Sequence, residues 1–189
     1  MQARIKESTY FGIPTLKNPC DLWVYREIIC EQRPDVIVEI GNLYGGSTLA
    51  LAHILQILGH GRVIAVDLSH KNVSAEARIH PLIDWIEGDA VESFGKVLEM
   101  IGTDESVMVI DDSSHTYMNT YKVLQTYSGL VKSGGYFIVE DGIVGHGIPG
   151  TTRAYEAVHD YIENTGLFDV DQSREWPMTW NPCGFLKKK

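Results

Sequence analysis

Two short acidic stretches have residue types and spacing that could do chemistry. Asp111-Asp112-Ser113-Ser114-His115 and Glu140-Asp141-Gly142 each follow an apolar run, Val107 to Ile110 and Tyr136 to Val139, which brings four carboxylates to expected strand ends. Carboxylates gathered in a crevice repel one another, and a proton or a cation relieves the repulsion. Oxygen donors of this kind suit a hard divalent ion such as Mg²⁺, held by two or three protein oxygens and completed by water and substrate. The alternative is that Asp111 or Asp112 caps the following helix while Glu140-Asp141 ends a strand in solvent.

A second constellation lies upstream. Val36 to Ile40 runs into Gly41-Asn42-Leu43-Tyr44-Gly45-Gly46-Ser47-Thr48, a glycine-rich turn that opens a helix and lets the backbone approach a ligand closely. The turn lacks the G-x-G-x-x-G pattern of dinucleotide sites, which counts against NAD. Val63 to Val66 ends in Asp67, placed to accept hydrogen bonds from ribose hydroxyls. Ile86-Glu87-Gly88-Asp89 offers a further acid, either for an exocyclic adenine amine or as a helix cap.

The elements that must position these residues follow from the alternation of short apolar runs with amphipathic stretches. The β-branched runs at 36–40, 63–66, 107–110 and 136–139 are nearly continuous, as strands covered on both faces require. Between them the pattern predicts helices over 47–58, 91–101 and the stretch after His115, where Val123, Leu124, Tyr127, Leu130 and Val131 share a face. A first helix is expected from Pro19 to about Arg33, stopped by Pro34, and another over 151–164. Phe168 to Val170 and Gly184 to Leu186 suit an antiparallel sheet edge. Right-handed crossovers then give an α/β fold, a doubly wound, mostly parallel seven-stranded Rossmann-like sheet with its crevice at the carboxyl strand ends. One domain is expected, with residues 1–34 as an N-terminal segment and helix that could wall an acceptor pocket, and 35–189 as the main body.

Taken in order, the Glu39/Gly41/Gly45 turn, Asp67, Asp89 and Leu130-Val131-Lys132-Ser133-Gly134-Gly135-Tyr136 resemble the motif series of class I S-adenosylmethionine-dependent methyltransferases. More closely, Gly12-Ile13-Pro14, Lys17-Asn18-Pro19-Cys20-Asp21-Leu22, Gly45-Gly46-Ser47, the Asp112/His115 turn, Gly145-His146-Gly147, Tyr155-Glu156-Ala157-Val158 and Asn181-Pro182-Cys183-Gly184-Phe185-Leu186-Lys187 are similar to the cephalosporin hydroxylase-like family. That resemblance covers almost the whole chain. It implies Mg²⁺-dependent O-methylation of a hydroxyl on a small molecule, such as a glycoside or an antibiotic-like scaffold.

The resemblance also implies site roles. Glu39, Gly41, Asn42, Tyr44, Gly45 and Ser47, with Asp67, Asp89 and Asp111, would hold S-adenosylmethionine; Asp112, Glu140 and Asp141 would hold the ion. The paired Asp111-Asp112 leaves the first metal ligand open by one position, with Asp112 preferred for its spacing to His115. His115 is the candidate base, three residues after Asp112, the offset at which catechol-type methyltransferases place a catalytic lysine; the alternative is that it only orients a carboxylate. His146 either reaches the substrate or lies on the surface, and Tyr10, Phe11, Trp176 and Trp180 are candidates for the acceptor wall, without catalytic roles.

Composition narrows the field. The chain has 189 residues, 44% hydrophobic, enough for one substantial core, and a net charge of −9, the wrong sign for gripping phosphate backbones. No apolar run approaches the roughly 20 residues a bilayer span requires, and no signal-peptide pattern opens the chain, so a cytoplasmic protein is expected. Cys20, Cys30 and Cys183 form neither a disulfide framework nor a zinc pattern. Two other classes stay open at this stage, an NAD-linked oxidoreductase and a non-catalytic nucleoside-binding protein. With little chain left for an acceptor domain, either the N-terminal segment or a second subunit in a homo-oligomer would close the pocket.

Overall fold

Capping and burial explain where the elements begin and end in the computed structural model, which describes residues 8–143, 153–176 and 178–189. A hairpin of β1 (Thr9–Tyr10) and β2 (Ile13–Pro14) precedes helix α1 (Pro19–Gln32). The Asn18 side chain accepts the Cys20 N–H, Pro19 fills the first turn, and Arg33 closes the helix in a left-handed conformation, its N–H bonded to the Ile29 carbonyl. The hairpin was not expected, since strands of two residues carry no periodicity.

Strands and helices then alternate: β3 (Val36–Ile40), α2 (Gly46–Leu58), β4 (Arg62–Asp67), α3 (Ala75–Arg78), β5 (Ile83–Glu87), α4 (Phe94–Glu99), β6 (Val107–Asp111), α5 (Tyr117–Tyr127), β7 (Tyr136–Val139), α6 (Ala154–Thr165), β8 (Phe168–Val170) and β9 (Phe185–Lys188). The seven-stranded sheet has the order β5-β4-β3-β6-β7-β9-β8. Strands β3 to β7 pair in parallel, and β9 runs antiparallel to both β7 and β8. The doubly wound sheet with its antiparallel edge is thus as the sequence predicts.

Both faces of the sheet are buried. Val36, Val38, Val109, Phe137 and Val139 pack on one side with Val123, Leu124, Tyr127 and Val158 of α5 and α6. Ile37, Val63, Met108, Ile110 and Ile138 face the other way, against Tyr25, Ile28 and Ile29 of α1 and Leu51 and Leu55 of α2. Each such side chain contributes about 1.5–3 kcal/mol when fully buried, and burial on both faces makes these strands read as nearly continuous apolar runs.

Two expectations need adjustment. The helix predicted over 91–101 forms only at Phe94–Glu99, because the Asp89 carboxylate takes the N–H groups of Val91 (2.9 Å) and Glu92 (3.2 Å) and winds residues 90–93 into a turn. The short α3, begun by Ser74 accepting the Ala77 N–H, had no sequence signal long enough to find. The predicted start of α6 at Thr151 lies outside the described residues, as does His146.

The order in which strands join the sheet reverses between β3 and β6, which run parallel with Ile40 opposite Asp111. A ligand crevice opens at such a switch point, beyond the carboxyl ends of the strands. The glycine turn leaves β3 there, and the acidic turn leaves β6 beside it.

Candidate active site

Gly41 makes the close approach of the two turns possible. Its φ is +89° and its N–H bonds to the Val66 carbonyl at 2.8 Å; a Cβ there would sit 2.1 Å from the Asp112 carbonyl oxygen. Only glycine fits both the dihedral and the space. Asp67 fastens the turn from β4, its Oδ2 accepting the N–H groups of Asn42 (2.6 Å) and Leu43 (2.9 Å). Glu39 braces it from within: fully buried, it accepts from the Thr48 hydroxyl (2.5 Å) and the Asn42 amide (3.0 Å), and burial raises its pKa.

A cavity of about 400 Å³ opens above the turn, lined by Gly41, Asn42, Tyr44, Ser47, Asp67 and Asp89 and, toward β6 and β7, by Asp112, His115 and Asp141. Nine of the residues expected at the site therefore face one space. Glu39, Gly45, Asp111 and Glu140 do not line it. Glu39 supports the turn from the protein side. At Gly45 a Cβ would meet Ala77 and Val73, so this glycine serves packing beneath the turn. Asp111 ends β6 pointing into the protein, where Oδ1 accepts from the Ser113 hydroxyl at 2.5 Å and Oδ2 has no hydrogen-bond partner; burial pushes its pKa up to about 6.

The acids nearest the cavity converge on a histidine. His115 Nε2 lies 3.8 Å from Asp112 Oδ1 and 3.5 Å from Asp141 Oδ2, and one ligand atom from each of the three residues falls within 4.8 Å of the others. His115 (φ +53°) and Asp141 (φ +57°) both hold the left-handed conformation that non-glycine residues seldom adopt, a form of strain found at functional sites. The Asn181 side-chain oxygen accepts the Asp141 N–H at 2.9 Å and secures that bend. Burial, then the charge of Asp112, pushes the Asp141 carboxyl up to about 6.

Glu140, expected to hold a metal, meets Asp112 across the Lys17 ammonium and does not line the cavity. Its Oε1 accepts from the Lys17 ammonium at 2.5 Å, and the Tyr25 hydroxyl faces it from α1. Burial comes first among the causes that raise Glu140 well above the carboxylate range. Lys17 also donates to Asp112 Oδ2 at 2.6 Å. Burial alone would lower the lysine, but the charges of Asp112, Glu140 and Glu39 outweigh it and hold the ammonium above its ordinary pKa.

Lys17 stood in the recognised motif without a role. One signal was available: a cation just before the N-cap of α1 meets the positive end of the helix dipole, so something else must favour it there. Around it the N-terminal segment clasps residues 178–181, with Asn18 donating to the Met178 carbonyl (3.0 Å), Asp21 accepting the Trp180 N–H (2.9 Å) and Asn181 donating to the Tyr25 hydroxyl (2.7 Å). Pro14, Thr15 and Leu16 wall the cavity, whereas Tyr10, Phe11, Trp176 and Trp180 do not; the Tyr10 hydroxyl instead meets His53 Nδ1 at 3.0 Å.

This sheet order, with a glycine turn at the switch point and acids on the adjoining strand, is the fold of the class I S-adenosylmethionine-dependent methyltransferases. The sequence profile of the family described as Rhamnosyl O-methyltransferase/CmcI matches residues 2–189, and the chain belongs to that family. It is 30% identical to the rhamnosyl O-methyltransferase of Mycobacterium tuberculosis over 190 residues, 95% of this chain and 78% of that one. The Mycobacterium leprae enzyme of the same name is 31% identical over 192 residues, 96% of this chain and 83% of its own. The structure of CmcI with Mg and SAM aligns with a TM-score of 0.77 at 23% identity, covering 97% of this chain and 77% of that one, a likeness of fold. Family membership makes the protein an enzyme of S-adenosylmethionine-dependent O-methylation with a small-molecule acceptor, and sets aside the oxidoreductase and non-catalytic readings. Among the described residues, no helix is long and apolar enough to cross a membrane.

Proposed function

We propose that this protein methylates a hydroxyl of a sugar or glycoside and does so with a divalent cation held beside Asp112 and Asp141. The observation that carries this reading is the convergence of Asp112, His115 and Asp141 at the β6 and β7 end of the cavity, opposite the glycine turn. The donor set fits a hard dication: the Asp112 and Asp141 carboxylates both line the cavity and lie within reach of one another, with His115 beside them. When bound, such an ion supplies Lewis-acid polarisation of the acceptor hydroxyl and a template for its approach. The rhamnosyl acceptor in the names of the mycobacterial relatives and the Mg in the CmcI structure agree with this reading.

The chain's own residues divide the work. Gly41, Asn42 and Tyr44, with Asp67 and Asp89, would hold the methyl donor on the turn side, and Glu39 and Asp111 keep that turn and the β6 end in shape. His115 faces the cavity with Nε2 among the acids, placed to take the proton from the acceptor hydroxyl as methyl transfer proceeds in line. Pro14, Thr15 and Leu16 line the cavity, which supports a part for the N-terminal segment in the acceptor wall. Titration calorimetry of Mg²⁺ and Mn²⁺ into the wild type and into Asp112→Ala and Asp141→Ala variants tests the metal. Binding heat lost in both variants is expected; identical heats in all three proteins would rule the site out.

A further inference from the structure

The Lys17 ammonium holds one oxygen of each of two carboxylates, from the ends of two neighbouring strands, and is almost wholly enclosed, its side chain 3% exposed. Enclosing an ammonium costs several kcal/mol unless it is paired this well, so the contact is built rather than incidental. The chain holds Lys17 in place from both sides. Leu16 before it occupies a left-handed bend at φ +54°, and Asn18 after it caps α1.

The consequence falls on Asp112. Its Oδ2 is taken by Lys17 at 2.6 Å, while Oδ1 is the oxygen turned toward His115. Ca²⁺ takes six to eight oxygens and often both oxygens of one carboxylate, whereas Mg²⁺ takes single oxygens in a strict octahedron and keeps several waters. We infer that Lys17 is a positioning residue that leaves Asp112 one carboxylate oxygen for the cavity and so biases the site toward Mg²⁺ over Ca²⁺. The inference rests on the divalent site proposed above and adds to it a residue that selects the ion.

The experiment is titration calorimetry of Mg²⁺ and of Ca²⁺, separately, into the full chain and its Lys17→Met, Lys17→Gln and Lys17→Arg variants, with circular dichroism to confirm folding. Freeing Asp112 Oδ2 in Lys17→Met is expected to raise Ca²⁺ affinity relative to Mg²⁺ several-fold, because Ca²⁺ readily takes both oxygens of one carboxylate and Mg²⁺ does not. Lys17→Arg, which keeps a cationic donor, is expected to restore the wild-type ratio, a rescue that a merely structural lysine would not show in the ratio. If Lys17→Met does not fold, Lys17→Gln, whose amide reaches one carboxylate, carries the test with a smaller shift in the same direction. A Ca²⁺ to Mg²⁺ ratio unchanged from wild type in the folded Met variant, or in Gln where Met fails, overturns the inference while leaving the metal site standing. A wild type that binds neither ion overturns both.

Discussion

Replacing Gly41 by alanine should injure stability and catalysis together, and the size of the injury can be worked out against an internal control. Gly41 (φ +89°) and Gly134 (φ +81°) have similar dihedrals, but a Cβ at Gly134 meets nothing within 4 Å, whereas at Gly41 it lands 2.1 Å from the Asp112 carbonyl oxygen. Gly134→Ala therefore reports the conformational cost alone, about 1–2 kcal/mol. Gly41→Ala adds forced displacement of backbone, about 1–3 kcal/mol more, for a total of about 2–5 kcal/mol. The Asp112 backbone must retreat by about 1 Å, and misplacement on that scale costs a reaction about a hundredfold. Its own N–H is held to the Ile40 carbonyl at 2.8 Å, so the retreat strains the β3 and β6 ends together. Urea unfolding of the two variants measures the first effect; methyl transfer per folded molecule and binding of S-adenosylhomocysteine measure the second. A Gly41→Ala protein as stable as Gly134→Ala, with wild-type turnover, would refute the contact between the turns.

Asp111→Asn should stabilise the metal-free protein at high pH and not at low pH. The folded state holds the Asp111 proton to about pH 6 against an ordinary value of 3.8, so stability falls as pH rises from about 4 to 6, a loss of about 2–3 kcal/mol that asparagine abolishes. Urea midpoints at pH 4 and pH 8 with a chelator present check this, and a gain independent of pH would show that ionisation of Asp111 is not its source. His115→Ala should lower turnover about 10²–10⁴-fold, the usual span for a general base, while changing divalent-ion affinity far less. Single-turnover kinetics beside calorimetry separate the two readouts, and a near-normal rate removes the histidine from proton transfer.

The fold was legible where burial writes itself into residue type. Strands β3, β4, β6 and β7 are covered on both sides, so Val36 to Val38 and Val107 to Ile110 have no polar face to blur the pattern, and the acids that follow them stand out. Strand alternation also separates Asp111 from Asp112: Asp111, the last residue of β6, points inward, and its neighbour lines the cavity. Beyond the end of β7 no alternation applies: Glu140 pairs with Lys17, and the left-handed bend at Asp141 turns that carboxylate toward His115, an arrangement the expected metal set of Asp112, Glu140 and Asp141 did not anticipate. Lys17 escaped because its partners lie 95 and 123 residues away in the chain, and Asn181 because it acts on backbone. Contacts at that range leave no periodicity to read.

The position of β9 bears on how the enzyme comes into being. Every acid of the site has been polymerised once residue 141 is joined, yet Asn181 and the strand that lies between β7 and β8 are still to come. The acids of the site thus precede in the chain both the Asn181 oxygen that secures the Asp141 bend and the strand that edges β7, so the late segment scaffolds groups supplied by the earlier one.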